Sequence, residues 1–290
     1  MWNRRILPVL YLLCATVGGQ GQNYIRYHQR SLVVQEHMVG GRYDEALDLL
    51  NKLDKRYGLM PTETVARAIC LASIGDTATA HRSYLRSVEQ RSDLAWMSFA
   101  PPALRTALDS AWYGRVVNDC LARWDTMQHY ANGPNPGIPT PTTELNRRHQ
   151  AMVENPGDTE TRTARYASLI AEHDALLKRF LNGELQVPSI AEYGINSEFE
   201  TFIIHCSTEL TTANEKAFKR WLKRGLVYPV FYAIPFDDLA NHRNEKFPYG
   251  IFSGLRPEDM LPGHAERRAA IGMGDERLER LRFNRPEWQP

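Results

Sequence analysis

The chain has 290 residues, 43% of them hydrophobic, which is enough for one large domain or two small ones with packed cores. Its 35 Lys and Arg against 34 Asp and Glu leave a formal net charge of +1, so no overall field draws it to nucleic acid or to an anionic bilayer. A nucleic-acid role is disfavoured at this level.

Residues 1–21 read as an export signal. Arg4-Arg5 precede an apolar run over 6–17, and Val17-Gly18-Gly19 supplies small residues where a signal peptidase would cut. The run is shorter than the ~20 residues a spanning helix needs, so no membrane span is expected after cleavage and the mature protein is expected to be periplasmic or extracellular. Leu13 stands before Cys14 where lipid attachment wants a small residue. Cleavage leaves Cys70, Cys120 and Cys206, an odd number that allows at most one internal disulfide. Their apolar, helix-like surroundings favour small buried hydrophobes.

Residues 22–128 form the first predicted region. Gly41-Arg42-Tyr43-Asp44-Glu45-Ala46-Leu47 is echoed by Gly75-Asp76-Thr77-Ala78-Thr79-Ala80-His81, and both Gly41 to Gly75 and Ala46 to Ala80 span 34 residues. Each Gly suits the left-handed end of a helix, and each Ala suits a close helix–helix approach. Ala46, Leu47, Leu49, Leu50 and Leu53 keep helical spacing inside the first pair. The stretch resembles a tetratricopeptide repeat, with Gly41, Tyr43 and Ala46 on its Gly-x-Tyr-x-x-Ala signature, Gly75 and Ala80 on the second copy, and Thr77 in place of the second Tyr. About three such units are needed to bury a continuous face, so residues 103–125, with Trp112 and Trp124 in their apolar pattern, are expected to pack as a third pair or cap.

Residues 129–143 carry Gly133, Pro134, Pro136, Gly137, Pro139 and Pro141 and read as a linker. Beyond it, 144–290 form a second helical region. A long helix is predicted over 158–182, stopped by Asn182-Gly183. Ser197-x-x-Glu200 and Thr212-x-x-Glu215 read as capping boxes, the second opening a helix that Gly225 closes. Lys216, Lys219, Arg220, Lys223 and Arg224 on that helix read as a solvated face. Pro229 can start a helix, Pro235 is expected to kink or divide it, and a last helix is predicted over 264–271. With no alternating run long enough for a strand, the fold class is all-α: tetratricopeptide-like hairpins followed by a second helical domain.

Residues from about 145 to 283 also resemble an uncharacterised bacterial domain of exported proteins, sometimes found behind tetratricopeptide repeats. Asp158 and Arg162 match its Asp-Gln-x-x-Arg element, with Thr159 for Gln. His205 matches a His that ends an apolar helix, and Asp237 or Asp238 a later Asp. Tyr249-Gly250 match its Tyr-Gly-Thr-Gln turn, with Ile251-Phe252 for the last two residues. Arg267-Arg268-Ala269-Ala270-Ile271-Gly272 match its Arg-Arg-x-x-Leu-Gly element. The resemblance implies an architecture and a polar site, with Asp158, Arg162, Arg267 and Arg268 as binding residues, and no particular reaction.

His205 at the end of an apolar helix could be oriented by Asp237 or Asp238 and act as a base beside Tyr249. Asp238 and His242, four apart, share a helix face as half of a metal site. Against this, the chain has no His-Glu-x-x-His, nucleophile elbow, phosphate loop or CxxC, so no metal or cofactor is assigned. Two functions stand: an exported helical scaffold that binds a protein or peptide through its repeats, and a hydrolase built on His205, Asp237, Asp238 and Tyr249. The missing motifs favour the first.

Overall fold

The computed structural model describes residues 23–89, 140–154, 159–190, 198–252 and 255–274. Their order is α1 (Tyr24–Val39), α2 (Tyr43–Tyr57), α3 (Pro61–Ser73), α4 (Thr77–Glu89), α5 (Thr140–Glu154), α6 (Thr159–Leu181), α7 (Glu198–Ile204), α8 (Thr208–Ala213), α9 (Glu215–Lys223), α10 (Pro229–His242) and α11 (His264–Ile271). Among the described residues the fold is all-α, broken only by a 3-10 turn at Pro257–Asp259 and an isolated bridge between Phe247 and Met260. None of these helices is long and apolar enough to cross a membrane. The predicted signal, residues 103–125 and Ser197 lie outside the described residues.

Helices α1 with α2, and α3 with α4, form two hairpins in sequence. The turns place Gly41 at φ +69° and Gly75 at φ +89°, a left-handed conformation that a side chain resists. Ala46 and Ala80 are fully buried where the paired helices meet. A buried carboxylate ties the hairpins together: Glu63 of α3 accepts from the Tyr27 hydroxyl at 2.8 Å and from Ser31 Oγ at 2.5 Å, while Tyr27 Oη accepts from the Met60 N–H at 2.9 Å.

Three expectations need correction. Helix α5 starts at Thr140, inside the stretch read as linker through 143. Pro141 is harmless there, because a first-turn N–H has no partner in the helix anyway. Pro235 does not divide α10, which runs unbroken from Pro229 to His242. Burial of Tyr232, Ala233, Asp237 and Ala240 offsets the one lost main-chain bond. Thr212 does not cap α9; it lies in α8 and donates Oγ1–H to the Thr208 carbonyl at 2.6 Å. The N-cap that forms is Ser207, whose Oγ accepts from Leu210 N–H at 3.4 Å.

The apolar side chains form two clusters that share α1. Tyr27, Val34 and Met38 pack with Leu50, Leu53, Met60 and Ile69 of the hairpins, joined by Ile190 and Tyr228 from the C-terminal half. Ile25, two residues before Tyr27 on the same helix, joins Leu177, Phe199, Phe202, Phe218, Leu222 and Tyr232. Contact is close because glycines end the helices that meet α1. A Cβ on Gly272 would lie 2.6 Å from His28 Cβ and 3.1 Å from the Ile25 carbonyl, and one on Gly225 2.7 Å from the Tyr24 ring. Gln29 Nε2 adds a hydrogen bond to the Ala269 carbonyl at 2.8 Å.

This contrast gives a test by denaturant unfolding. Gly41→Ala meets no atom within 4 Å and incurs only the left-handed penalty, about 1 kcal/mol. Gly272→Ala adds a clash with α1 and should cost about 3 kcal/mol. Equal losses would mean that the α1–α11 approach is not tight.

Candidate functional site

The polar residues singled out from sequence separate into two places. The first is the turn at Tyr249-Gly250. Asp237 on α10 is fully buried, its Oδ1 accepting from Tyr249 N–H at 2.8 Å and its Oδ2 from Ile251 N–H at 2.7 Å. Arg268 on α11 donates Nη1–H to the Tyr249 carbonyl at 2.7 Å and Nε–H to the Gly274 carbonyl at 2.6 Å. Arg267 donates to the carbonyls of Pro248, Leu261 and Pro262 at 2.8–3.0 Å. Burial pushes the Asp237 carboxyl up, opposed by the two N–H donors and the Arg268 charge. The structure therefore brings Asp237, Tyr249, Arg267 and Arg268 together, with main-chain groups as their partners.

Of the remaining candidates, Asp238 Oδ1 lies 3.9 Å from His242 Nε2 at the surface. Arg162 is exposed on α6, and Asp158 lies outside the described residues.

His205 occupies the second place, just beyond α7. Its ring stacks on His149 of α5, with centroids 3.7 Å apart and planes 15° apart. His173 of α6 meets both edge-on at 5.8 Å, and stacks on Phe202 of α7 at 5.5 Å. His173 Nδ1 lies 2.7 Å from the Leu169 carbonyl, so it carries the proton and leaves Nε2 as an acceptor. That Nε2 and His149 Nδ1 are buried without hydrogen-bond partners among the described residues.

Two polar links hold the helices around this cluster. Arg148 of α5 makes a two-pronged pair with Glu172 of α6 at 2.6 and 2.8 Å. Asp174, next to His173, accepts from Ser207 N–H at 2.8 Å and Ser207 Oγ–H at 2.6 Å, fixing the chain just after His205.

Burial, reinforced by His149 and His173, holds the His205 imidazolium well below its usual range, at about 4. Burial lowers His149 as well, with His173 adding to it. His173 is lowered by burial despite the opposing pull of Leu169 O, Asp174 and Glu172. All three are neutral imidazoles at pH 7, chemically able to accept a proton, yet no carboxylate is among the hydrogen-bond partners of His205. Cys206 is unreactive by the same burial: its Sγ–H donates to the Phe202 carbonyl at 3.3 Å and its thiol is pushed well up.

Among the described residues no group of three or more His, Cys, Asp or Glu is set to hold a metal. Beside the cluster, between α5 and α6, lies a groove of about 560 Å³ lined by Arg147, Arg148, Met152, Arg165, Ser168 and Leu169. Glu144 pairs with Arg147 at 2.7 Å and Glu172 with Arg148, which leaves Arg165 as the groove's arginine without an ion pair among the described residues.

Sequence reasoning missed His149, His173 and Asp174. A signal existed for the histidines: Leu145 precedes His149 by four residues and Leu169 precedes His173 by four, so each His sits on its helix's apolar stripe. Comparison with protein-family models, with curated proteins and with solved structures finds no significant match for this chain.

Folding depresses these histidine pKa values, so below the usual 6.5 the unfolded chain binds more protons than the folded one. Stability is complete above that pH and falls as the pH drops towards about 4. Denaturant unfolding at pH 7 and pH 5 should show a loss on the order of 2 kcal/mol, discounted for the part-exposed His205 ring, that His205→Phe largely removes. An unchanged slope in His205→Phe would contradict this cluster.

Proposed function

We propose that this chain is an exported helical interaction module that binds a protein or peptide through its N-terminal hairpins, with the C-terminal helices as its support. The observation that carries this reading is the engagement of the candidate catalytic groups with main chain. Asp237 holds two backbone N–H groups and Arg268 holds carbonyls, so both serve to shape the Tyr249-Gly250 turn. The tetratricopeptide resemblance of Gly41, Ala46, Gly75 and Ala80 supports the same reading, since such units present surfaces to partners. Exposed Val33 of α1 and Ile74 at the end of α3 are apolar contact points on this half.

A hydrolase is the second reading, favoured by the neutral, unpartnered imidazoles around His205. It lacks the orienting acid that a base of this kind uses.

Activity and stability separate the two. Asp237→Asn, which sets an amide N–H against backbone N–H donors, should lose about 2–4 kcal/mol in unfolding experiments. General esterase, phosphatase and peptidase substrates should show no turnover that His205→Ala abolishes. A photo-crosslinking residue at position 33 or 74, in the cells that make the protein, should trap a discrete protein adduct that the same residue at Lys178 does not. Turnover lost in a folded His205→Ala variant, or no adduct from either hairpin position, would overturn the module in favour of the enzyme.

A further inference from the structure

Helix α9 divides into two faces. Ala217, Phe218, Trp221 and Leu222 are buried, and Lys216, Lys219, Arg220, Lys223 and Arg224 are all exposed. Spaced by three and four residues, these cations form one stripe ~12 Å long, at 1.5 Å of rise per residue. None of them has an ion pair within the described residues, whereas Arg67, Arg147, Arg148, Arg179 and Arg256 each do. Lys216 with Arg220, Lys219 with Lys223 and Arg220 with Arg224 are like-charge neighbours at i,i+4, an arrangement that destabilises a helix. Glu215, exposed at the start of α9 and four residues before Lys219, is the helix's one acidic residue and accepts from the Tyr232 hydroxyl at 3.0 Å, so the five cations outnumber it in a chain whose net charge is only +1. Helix α1, whose Tyr24 packs on Gly225 at the end of α9, adds exposed Arg26 and Arg30.

We propose that α9 is a docking surface for the phosphate headgroups of an anionic lipid bilayer. The stripe covers the exposed face of α9, which suits a broad plane of charge that its cations meet together. Its aromatic residues, Phe218 and Trp221, face the core, so it offers no ring on which bases of a single-stranded nucleic acid could stack. No large apolar side chain is exposed on α9, so the contact is electrostatic, peripheral and reversible, without insertion. This surface is separate from the hairpins and does not depend on what they bind.

The test is co-sedimentation of the full mature chain with vesicles of phosphatidylcholine alone and of phosphatidylcholine with an equal amount of phosphatidylglycerol. Binding is expected to the second and not the first, and to disappear in ~0.5 M salt. The Lys219→Gln/Lys223→Gln variant should bind roughly thirtyfold more weakly, at about fivefold per cation. Its melting temperature should stay level or rise, because like-charge repulsion is relieved. Lys52→Gln/Lys55→Gln on α2 makes the same change in net charge and should bind as the unaltered chain does. The proposal is overturned by equal binding to both vesicles, by no binding at low salt, by equal losses in the two double variants, or by a preference for duplex DNA over anionic vesicles that depends on Lys219 and Lys223.

Discussion

The structure depends on how closely α1 can approach the ends of two other helices. Tyr24 lies on Gly225 after α9, and Ile25 with His28 lies on Gly272 after α11. Each glycine ends its helix in a left-handed conformation, φ +72° and +83°, and also leaves the space that α1 fills. Because of that approach Tyr27 packs among the hairpins while Ile25, on the same helix, packs with the C-terminal core. The halves are joined by a shared helix, and Ile190 and Tyr228 cross in the other direction.

Buried charge follows a consistent rule away from the histidines. Buried Glu63, Asp237 and Arg268, and half-buried Asp174, each join separate segments, and each has hydroxyl, N–H or carbonyl partners that organise a turn or a helix junction. A carboxylate in such a position holds the backbone in place, and its removal leaves N–H groups without acceptors. The His149–His173–His205 cluster breaks this rule. Its nitrogens at His149 Nδ1 and His173 Nε2 have no hydrogen-bond partners among the described residues, and burial favours the uncharged rings.

Much of the helical framework was legible because it is local. Apolar spacing located α6 and α11 to within a residue or two, and the 34-residue recurrence of Gly and Ala located both hairpin turns. The errors came where local signals had competitors. Thr212 matched a capping box, but its hydroxyl found a helical carbonyl four residues back; Pro141 counted as a breaker although it fell in a first turn, where it is tolerated. The grouping of Asp237, Tyr249 and Arg268 followed from a resemblance in motif order, while their main-chain partners could not be read from residue types. The apolar-stripe positions of His149 and His173 were legible from Leu145 and Leu169 four residues before them, but their meeting with His205 was not, because the three come from separate segments. The five cations of α9 were legible as a stripe; that none of them forms an ion pair among the described residues became visible only in the structure.

Sharing α1 between two cores has one direct experimental consequence, which is cooperative opening. Native-state hydrogen exchange on the purified chain would compare the amides of Ile69 and Cys70 in α3 with those of Tyr232 and Ala233 in α10, which lie in different clusters. The same opening free energy for both, falling together in Gly272→Ala, is the predicted result. An α1–α4 region that opens at lower free energy while α10 stays protected would show two independent domains and contradict the shared-helix account.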